Sequence, residues 1–222
     1  MCGRFVSLLS PELLKVIYEI FSPPEESARY NVAPTQMVPV VRQDSMDNRT
    51  AAPLRWGLIP HWAKDQSIGS RMINARSETV HEKPAFRQAI RCRRCIVPAQ
   101  GFYEWQATST GKEPWYISPR DGLPFSLAGI WESWCPPGGE ALETFSILTT
   151  EANSLMSPIH ERMPVILHPT EFSQWLDVSI TDPLCLRRLY QPFPPDLMQA
   201  WRVSKLVNSP AHDSEECLRK LS

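Results

Sequence analysis

Cys2, Glu104 and His160 are the side chains of this sequence with the clearest capacity for nucleophilic and acid–base chemistry. Cys2 follows the initiator methionine and is small, so an aminopeptidase that removes Met1 would leave it at the amino terminus. One residue would then hold a free α-amine and a thiol, with reference pKa values of about 7.7–8.0 and about 8.5. Such a 1,2-aminothiol has a chemistry that an internal cysteine lacks. The amine condenses with an aldehyde to an imine, and the thiol closes onto it as a thiazolidine. A cysteine at position 2 can equally stand there by chance and do nothing.

Glu104 sits in Gly101-Phe102-Tyr103-Glu104-Trp105, a carboxylate among aromatic residues. Apolar surroundings raise a carboxyl pKa and let it exchange protons near neutrality. The plainer reading is a strand glutamate pointing outward. His160, in Ile159-His160-Glu161-Arg162-Met163-Pro164, is a candidate acid–base group with Arg162 as a phosphate ligand beside it, against the plainer reading of a structural histidine. Asn74 and Arg76 fall in a loop of the kind where function collects. Trp62, after Pro60, reads as an exposed wedge able to stack on a base, although with eight tryptophans core packing is the default for any one of them. Cys92-Arg93-Arg94-Cys95 lacks the second pair that a zinc ribbon needs and the βαβ context of a thiol redox motif, so no metal or cofactor is expected.

The elements that must position these residues are short. At 222 residues with 22 dispersed prolines, the chain reads as one domain rich in strands and loops. Ser10 and Pro11 open a helix whose apolar face is Leu13, Leu14, Ile17 and Phe21, and Pro23-Pro24 stop it. Strands are expected over 37–42, 54–59, 95–105 with a break near Gly101, 115–118, 125–134, 144–149, 163–167 and 201–205. Ser77 is placed to cap a helical segment with Thr79 and Val80, residues 84–90 form a second short helix, and Thr170 caps a third over 171–176. The tail from about residue 208 is polar and expected to be loosely held. The expectation is an α+β fold, a single domain with a mostly antiparallel, curved or barrel-like sheet flanked by short helices.

Net charge is −1, which does not by itself advertise nucleic acid as a partner. Residues 1–95, however, hold 14 Lys+Arg against 9 Asp+Glu, and residues 96–222 hold 9 against 15, so a basic face on a neutral protein is allowed. No apolar run is long enough for a membrane span, and residues 1–10 lack the apolar core of a signal peptide. An intracellular protein with reduced thiols is the expectation.

Six stretches in this order resemble the SRAP family, the SOS response-associated peptidases or abasic-site processing proteins. They are Met1-Cys2-Gly3-Arg4-Phe5, Tyr30-Asn31-Val32-Ala33-Pro34, Trp56-Gly57-Leu58-Ile59-Pro60, Asn74-Ala75-Arg76-Ser77-Glu78, Gly101-Phe102-Tyr103-Glu104-Trp105 and Ile159-His160-Glu161-Arg162-Met163-Pro164. The resemblance implies an enzyme of the DNA-damage response. A cytoplasmic protein, nucleoid-associated in a bacterium, is the matching expectation, with a monomer as the default. It would bind single-stranded DNA and trap the ring-opened aldehyde of an abasic site as a covalent thiazolidine on Cys2. It further implies catalytic roles for Cys2, Asn74, Glu104 and His160, DNA contacts from Arg4, Trp62, Arg76 and Arg162, and no cofactor. Family members often carry two neighbouring tryptophans in the Trp62 loop, where this chain has Ala63. The peptidase label implies removal of whatever precedes Cys2, with weak lyase-type activity alongside. The competing readings are a cysteine peptidase that uses Cys2 and His160, and a non-enzymatic single-strand-binding module.

Overall fold

The longest strands form where apolar residues recur at every second position, as in Phe125, Leu127 and Gly129 opposite Ala128 and Ile130. The computed structural model describes residues 2–136 and 138–221; Met1, whose removal the sequence suggests, lies outside them. In chain order the strands are β1 Phe5–Ser7, β2 Arg29–Val32, β3 Met37–Gln43, β4 Arg49–Trp56, β5 Asn74–Arg76, β6 Arg94–Ala99, β7 Gly101–Thr108, β8 Gly111–Pro119, β9 Phe125–Trp134, β10 Leu142–Glu151, β11 Arg162–Pro164 and β12 Met198–Arg202. The α-helices are α1 Pro11–Tyr18, α2 Ala89–Cys92 and α3 Phe172–Leu176, with 3-10 turns between and after them.

Strands β10, β4, β3, β6 and β9 are hydrogen-bonded in that order, and β9 pairs back onto β10, so the five close into a barrel. Strands β5 and β11 extend it along the two edges of β10. A second sheet runs β12-β8-β7-β1-β2. The barrel strands split their side chains between two clusters. Val38, Val40, Leu54, Trp56, Cys95, Val97, Leu127, Phe145 and Ile147 join one, and Cys2, Phe5 and Phe102 from the second sheet's side share it. Val41, Ile96, Ala128, Ile130 and Leu148 join the other, together with α1 and α3. Helices pack outside a five-stranded ring, so the first cluster fills the barrel and the second coats it. Gly129 belongs to the inner set: a Cβ there would stand 2.8 Å from the Cys95 sulfur. The α+β class with a barrel-like sheet and short flanking helices is therefore as expected.

Several local expectations are corrected. Helix α1 starts as read, with Ser10 Oγ accepting from the Leu13 amide at 3.2 Å, but it ends at Tyr18 because Glu19 turns left-handed at φ 59°. Phe21 consequently leaves the apolar face and is exposed. Residues 77–82 form hydrogen-bonded turns rather than a helix, with the Thr79 amide closing on the Arg76 carbonyl. The residue that caps the segment before α3 is His168, whose ring accepts from the Thr170 amide, while Glu171 reaches back to the His168 amide. The C-terminal stretch is tied down. Asp213 Oδ1 accepts from the Asn31 amide at 2.9 Å, its Oδ2 pairs with Arg29, and Cys217 is fully buried. Asp213 thereby acts as a carboxylate cap on the start of β2, a contact across 182 residues that no local pattern reports.

Arg94 holds the outer layer together. It is buried, and its guanidinium donates to the carbonyls of Ile90 and Arg91 in α2, Trp175 in α3, and Asp177 and Ile180 in the turn after α3. The carbonyls of Ile90, Arg91 and Trp175 are ones that short helices leave without intrahelical partners. No helix among the described residues is long and apolar enough to cross a membrane.

Candidate active site

Cys2 enters the site through the pairing of β1 with β7. Phe5 faces Phe102, and the Tyr103 amide donates to the Arg4 carbonyl at 2.9 Å. Continuing this antiparallel register brings Glu104 alongside residues 2 and 3. The period of two then decides which face Glu104 uses. Tyr103 joins the cluster beyond the second sheet, whereas Phe102 and Glu104 turn toward the barrel, where Cys2 is. Cys2 is wholly buried, and its thiol lies 4.0 Å from the Arg4 carbonyl.

Three further elements complete the surroundings. Asn74 opens β5, and its Nδ2 donates to the Cys2 carbonyl at 2.8 Å. His160 is the last residue but one of the loop between β10 and β11. That loop is shaped by Asn153, whose Oδ1 accepts from the Leu155 and Met156 amides, and is closed by the Ala152 amide on the Glu161 carbonyl. The Arg162 amide donates to His160 Nδ1 at 3.0 Å. A nitrogen that accepts a hydrogen bond is unprotonated, so the neutral ring bears its proton on Nε2. The Glu104 carboxyl is buried and held above the usual carboxylate range, chiefly by desolvation, with His160 among the charges that oppose the rise. Burial, with the Glu104 carboxylate adding to it, pushes the Cys2 thiol well above the ordinary thiol range. Cys2, Asn74, Glu104 and His160 thus gather from four separate elements. Among the described residues no cluster of His, Cys, Asp and Glu could hold a metal ion.

The expected DNA contacts separate into two groups. Arg76 and Trp62 are exposed, and the Trp62 loop is pinned by a 2.8 Å bond from the Trp134 indole to the Ala63 carbonyl. Arg4 and Arg162 are committed to the protein. Arg4 Nη1 donates to Asn31 Oδ1 at 2.8 Å and the Val207 carbonyl at 2.7 Å, and its guanidinium lies over Trp105. Arg162 is nearly buried and forks onto Glu78 at 2.6 and 2.9 Å, with the Thr149 carbonyl a further acceptor at 2.6 Å. With both Nη groups of Arg162 and Nη1 of Arg4 engaged, these guanidinium groups are poorly placed to take a phosphate.

Sequence reading gave no role to Glu78, Asn31 or Asp213. The first two stand inside motifs quoted for the resemblance, so a search for hydrogen-bond acceptors for Arg4 and Arg162 within those motifs would have found them. Asp213 had no such signal.

Comparison with known proteins settles the family. The family described as SOS response associated peptidase (SRAP) matches residues 1–210. The chain belongs to the SRAP family. It is 45% identical to the abasic site processing protein YoqW of Bacillus subtilis over 98% of this chain and 99% of that one. It is 33% identical to the abasic site processing protein HMCES of Gallus gallus over 85% of this chain and 65% of the relative. Among solved structures, a protein from Bacteroides thetaiotaomicron superposes with a TM-score of 0.86 at 30% identity, and all of both chains is covered.

Proposed function

We propose that this SRAP protein processes abasic sites in single-stranded DNA by trapping the open-chain aldehyde on Cys2 as a thiazolidine. The observation that carries this reading is the placement of Cys2, next to the amino terminus, among Asn74, Glu104 and His160. Its relatives in Bacillus subtilis and Gallus gallus, named as abasic site processing proteins, support the substrate class.

The chemistry needs Met1 gone, since a peptide nitrogen does not attack an aldehyde. The freed α-amine of Cys2 adds to C1′ of the open sugar and gives a carbinolamine. Loss of the hydroxyl as water needs an acid. Glu104, with its raised pKa, can supply that proton, which leaves an iminium ion beside the Glu104 carboxylate. The thiol then adds to the iminium carbon, its proton returns to the Glu104 carboxylate, and the ring nitrogen is left neutral with the hydrogen it already held. Asn74 fixes the Cys2 carbonyl and hence the direction of both nucleophiles. His160, with its proton on Nε2, donates to a sugar oxygen and assists the reverse reaction. The complete burial of the Cys2 side chain disfavours a ready thiolate, on which a Cys–His peptidase depends.

The test is denaturing gel analysis of the protein mixed with an oligonucleotide bearing one abasic site. The processed protein is expected to give a covalent adduct, and Cys2→Ala only an imine that borohydride must capture. A protein carrying an uncleaved N-terminal tag is expected to give none. Equal cross-linking by the tagged protein, confirmed intact by mass, would move the cysteine peptidase reading ahead.

A further inference from the structure

The ion pair between Glu78 and Arg162 joins the two strands that carry Asn74 and lead on from His160. Strand β5 lies along one edge of β10, with Arg76 opposite Thr149, and β11 lies along the other, with Arg162 opposite Glu151. Arg162 therefore reaches across β10 to meet Glu78 just beyond the end of β5. It crosses over the Thr149 carbonyl, which accepts from Arg162 Nη2 at 2.6 Å and from the Ser77 amide at 2.9 Å. Two parallel bonds of 2.6 and 2.9 Å to the Glu78 carboxylate make the contact directional as well as strong. The pairing holds the Glu78 carboxyl below the usual range, so the carboxylate stays charged through neutral pH.

The same Arg162 presents its backbone amide to His160 Nδ1 at 3.0 Å. We propose that Glu78 is a positioning residue for His160, acting through Arg162: the forked pair fixes the Arg162 backbone so that its amide holds the His160 ring in the Nε2–H tautomer. The reading of His160 as a proton donor at the site rests on the function proposed above; the tautomer lock does not. Without the Glu78 charge, as in Glu78→Gln, Arg162 is a nearly buried guanidinium whose fork onto a carboxylate is replaced by neutral oxygens, one amide oxygen at position 78 and those of Thr149. Such a group turns toward water. Its backbone then loses the restraint that aims the amide at Nδ1, and the hold of that amide on the Nε2–H tautomer weakens. The opposing role for Arg162, a phosphate ligand held in reserve by Glu78, predicts the reverse for DNA: freeing it strengthens single-strand binding.

The experiment uses full-length protein with Met1 removed and ¹⁵N-labelled histidine, with the His160 signals assigned by their loss in His160→Gln. Long-range ¹H–¹⁵N correlation spectra report which ring nitrogen carries the proton. The unsubstituted protein is expected to show His160 in the Nε2–H form alone. Glu78→Gln is expected to add signal from Nδ1 protonation, and Glu78→Asp, which keeps the carboxylate, to retain the original pattern. On a single-stranded abasic oligonucleotide, Glu78→Gln is expected to lower the maximal cross-linking rate about tenfold, the equivalent of one charge-assisted hydrogen bond, with half-saturation unchanged. An unaltered His160 spectrum in Glu78→Gln overturns the proposal. So does tighter DNA binding with an unchanged maximal rate. If the unsubstituted protein forms no adduct, the cross-linking function falls while the spectra still decide the role of Glu78.

Discussion

Asn74 Nδ2 donates to the Cys2 carbonyl at 2.8 Å, while Asn74 Oδ1 is buried with no hydrogen-bond partner among the described residues. A buried amide oxygen without a donor is costly, and a native structure retains one where something else supplies the donor. The processed Cys2 amine and the hydroxyls of an opened sugar are donors of the right kind. Asn74→Ala removes both the anchor of the Cys2 carbonyl and this acceptor. Adduct formation on an abasic oligonucleotide is expected to slow by roughly 10- to 100-fold, the kinetic equivalent of one to two buried hydrogen bonds. Asn74→Asp keeps the acceptor and loses the anchor, and should fall between. Full activity in Asn74→Ala, followed by gel over time, would remove Asn74 from the site.

Glu104→Gln separates chemistry from stability. Burial raises the Glu104 pKa in the folded state, so folding favours its protonated form. The sign follows from proton linkage: the stability tied to this group is complete at low pH and is lost as pH rises from the unfolded value of about 4.3 through the folded one. Glutamine carries no such penalty. Thermal unfolding should show Glu104→Gln more stable than the parent at neutral pH, by about 2–4 °C for each kcal/mol released, with the difference closing near pH 4. Adduct formation should nonetheless fall by about 10²–10⁴, as for other positioned acid–base groups. A variant less stable at pH 7 than at pH 4, relative to the parent, contradicts the linkage.

Arg76 and Arg162 should differ in salt dependence. Arg76 is exposed, and both Nη groups of Arg162 are engaged by Glu78 and Thr149. For single strands each phosphate contact contributes about −0.7 to the slope of log K against log salt. Arg76→Ala is expected to reduce the slope by about 0.7 and weaken binding to undamaged and abasic strands alike. Arg162→Ala is expected to leave the slope unchanged. Fluorescence anisotropy across a salt series measures both, and an equal loss of slope in the two variants would restore Arg162 as a phosphate ligand.

The parts of this molecule that were legible in its sequence are those set by local rules. Gly101 marks the break between β6 and β7, Phe125–Trp134 alternates as a strand should, and Ser10-Pro11 starts α1. Position singled out Cys2 and aromatic neighbours singled out Glu104, while the grouping of these two with Asn74 and His160 came from the resemblance of six ordered motifs and not from residue type. What failed depended on distant partners. Phe21 fits the α1 periodicity, but Glu19 had already left the helix. Barrel closure rests on β9 meeting β10 and on a two-residue parallel contact of β10 with β4, which no pattern within either strand encodes. The pairing of Arg162 with Glu78 was equally invisible, because the two lie 84 residues apart. A charged side chain in a motif announces that it needs a partner, and not which one.

Asp213 shows the same limit, and it gives the last prediction. The chain beyond residue 208 is polar, yet its carboxylate serves three donors on β2 at once: the Tyr30 amide at 2.5 Å, the Asn31 amide at 2.9 Å and Arg29 Nε at 2.5 Å. Asn31 answers with its own side chain, whose Nδ2 donates to the Ser209 and His212 carbonyls at 3.0 and 2.6 Å and whose Oδ1 receives Arg4. The C-terminal stretch therefore braces β2, and through Asn31 and Arg4 it braces the strand that begins just after Cys2. Asp213→Ala strands two backbone donors and unpairs Arg29, a loss of about 2–4 kcal/mol by the usual cost of unsatisfied buried groups. At about 2–4 °C per kcal/mol the melting temperature should fall by about 4–16 °C. Hydrogen exchange locates the effect: amides of 205–220 and of β2 should lose protection well before those of β9 and β10, which the barrel holds independently. Asp213→Asn retains an oxygen for the two amides and should recover about half the loss. Uniform loss of protection across barrel and tail in Asp213→Ala would show that the tail is part of one cooperative unit rather than a brace laid upon it.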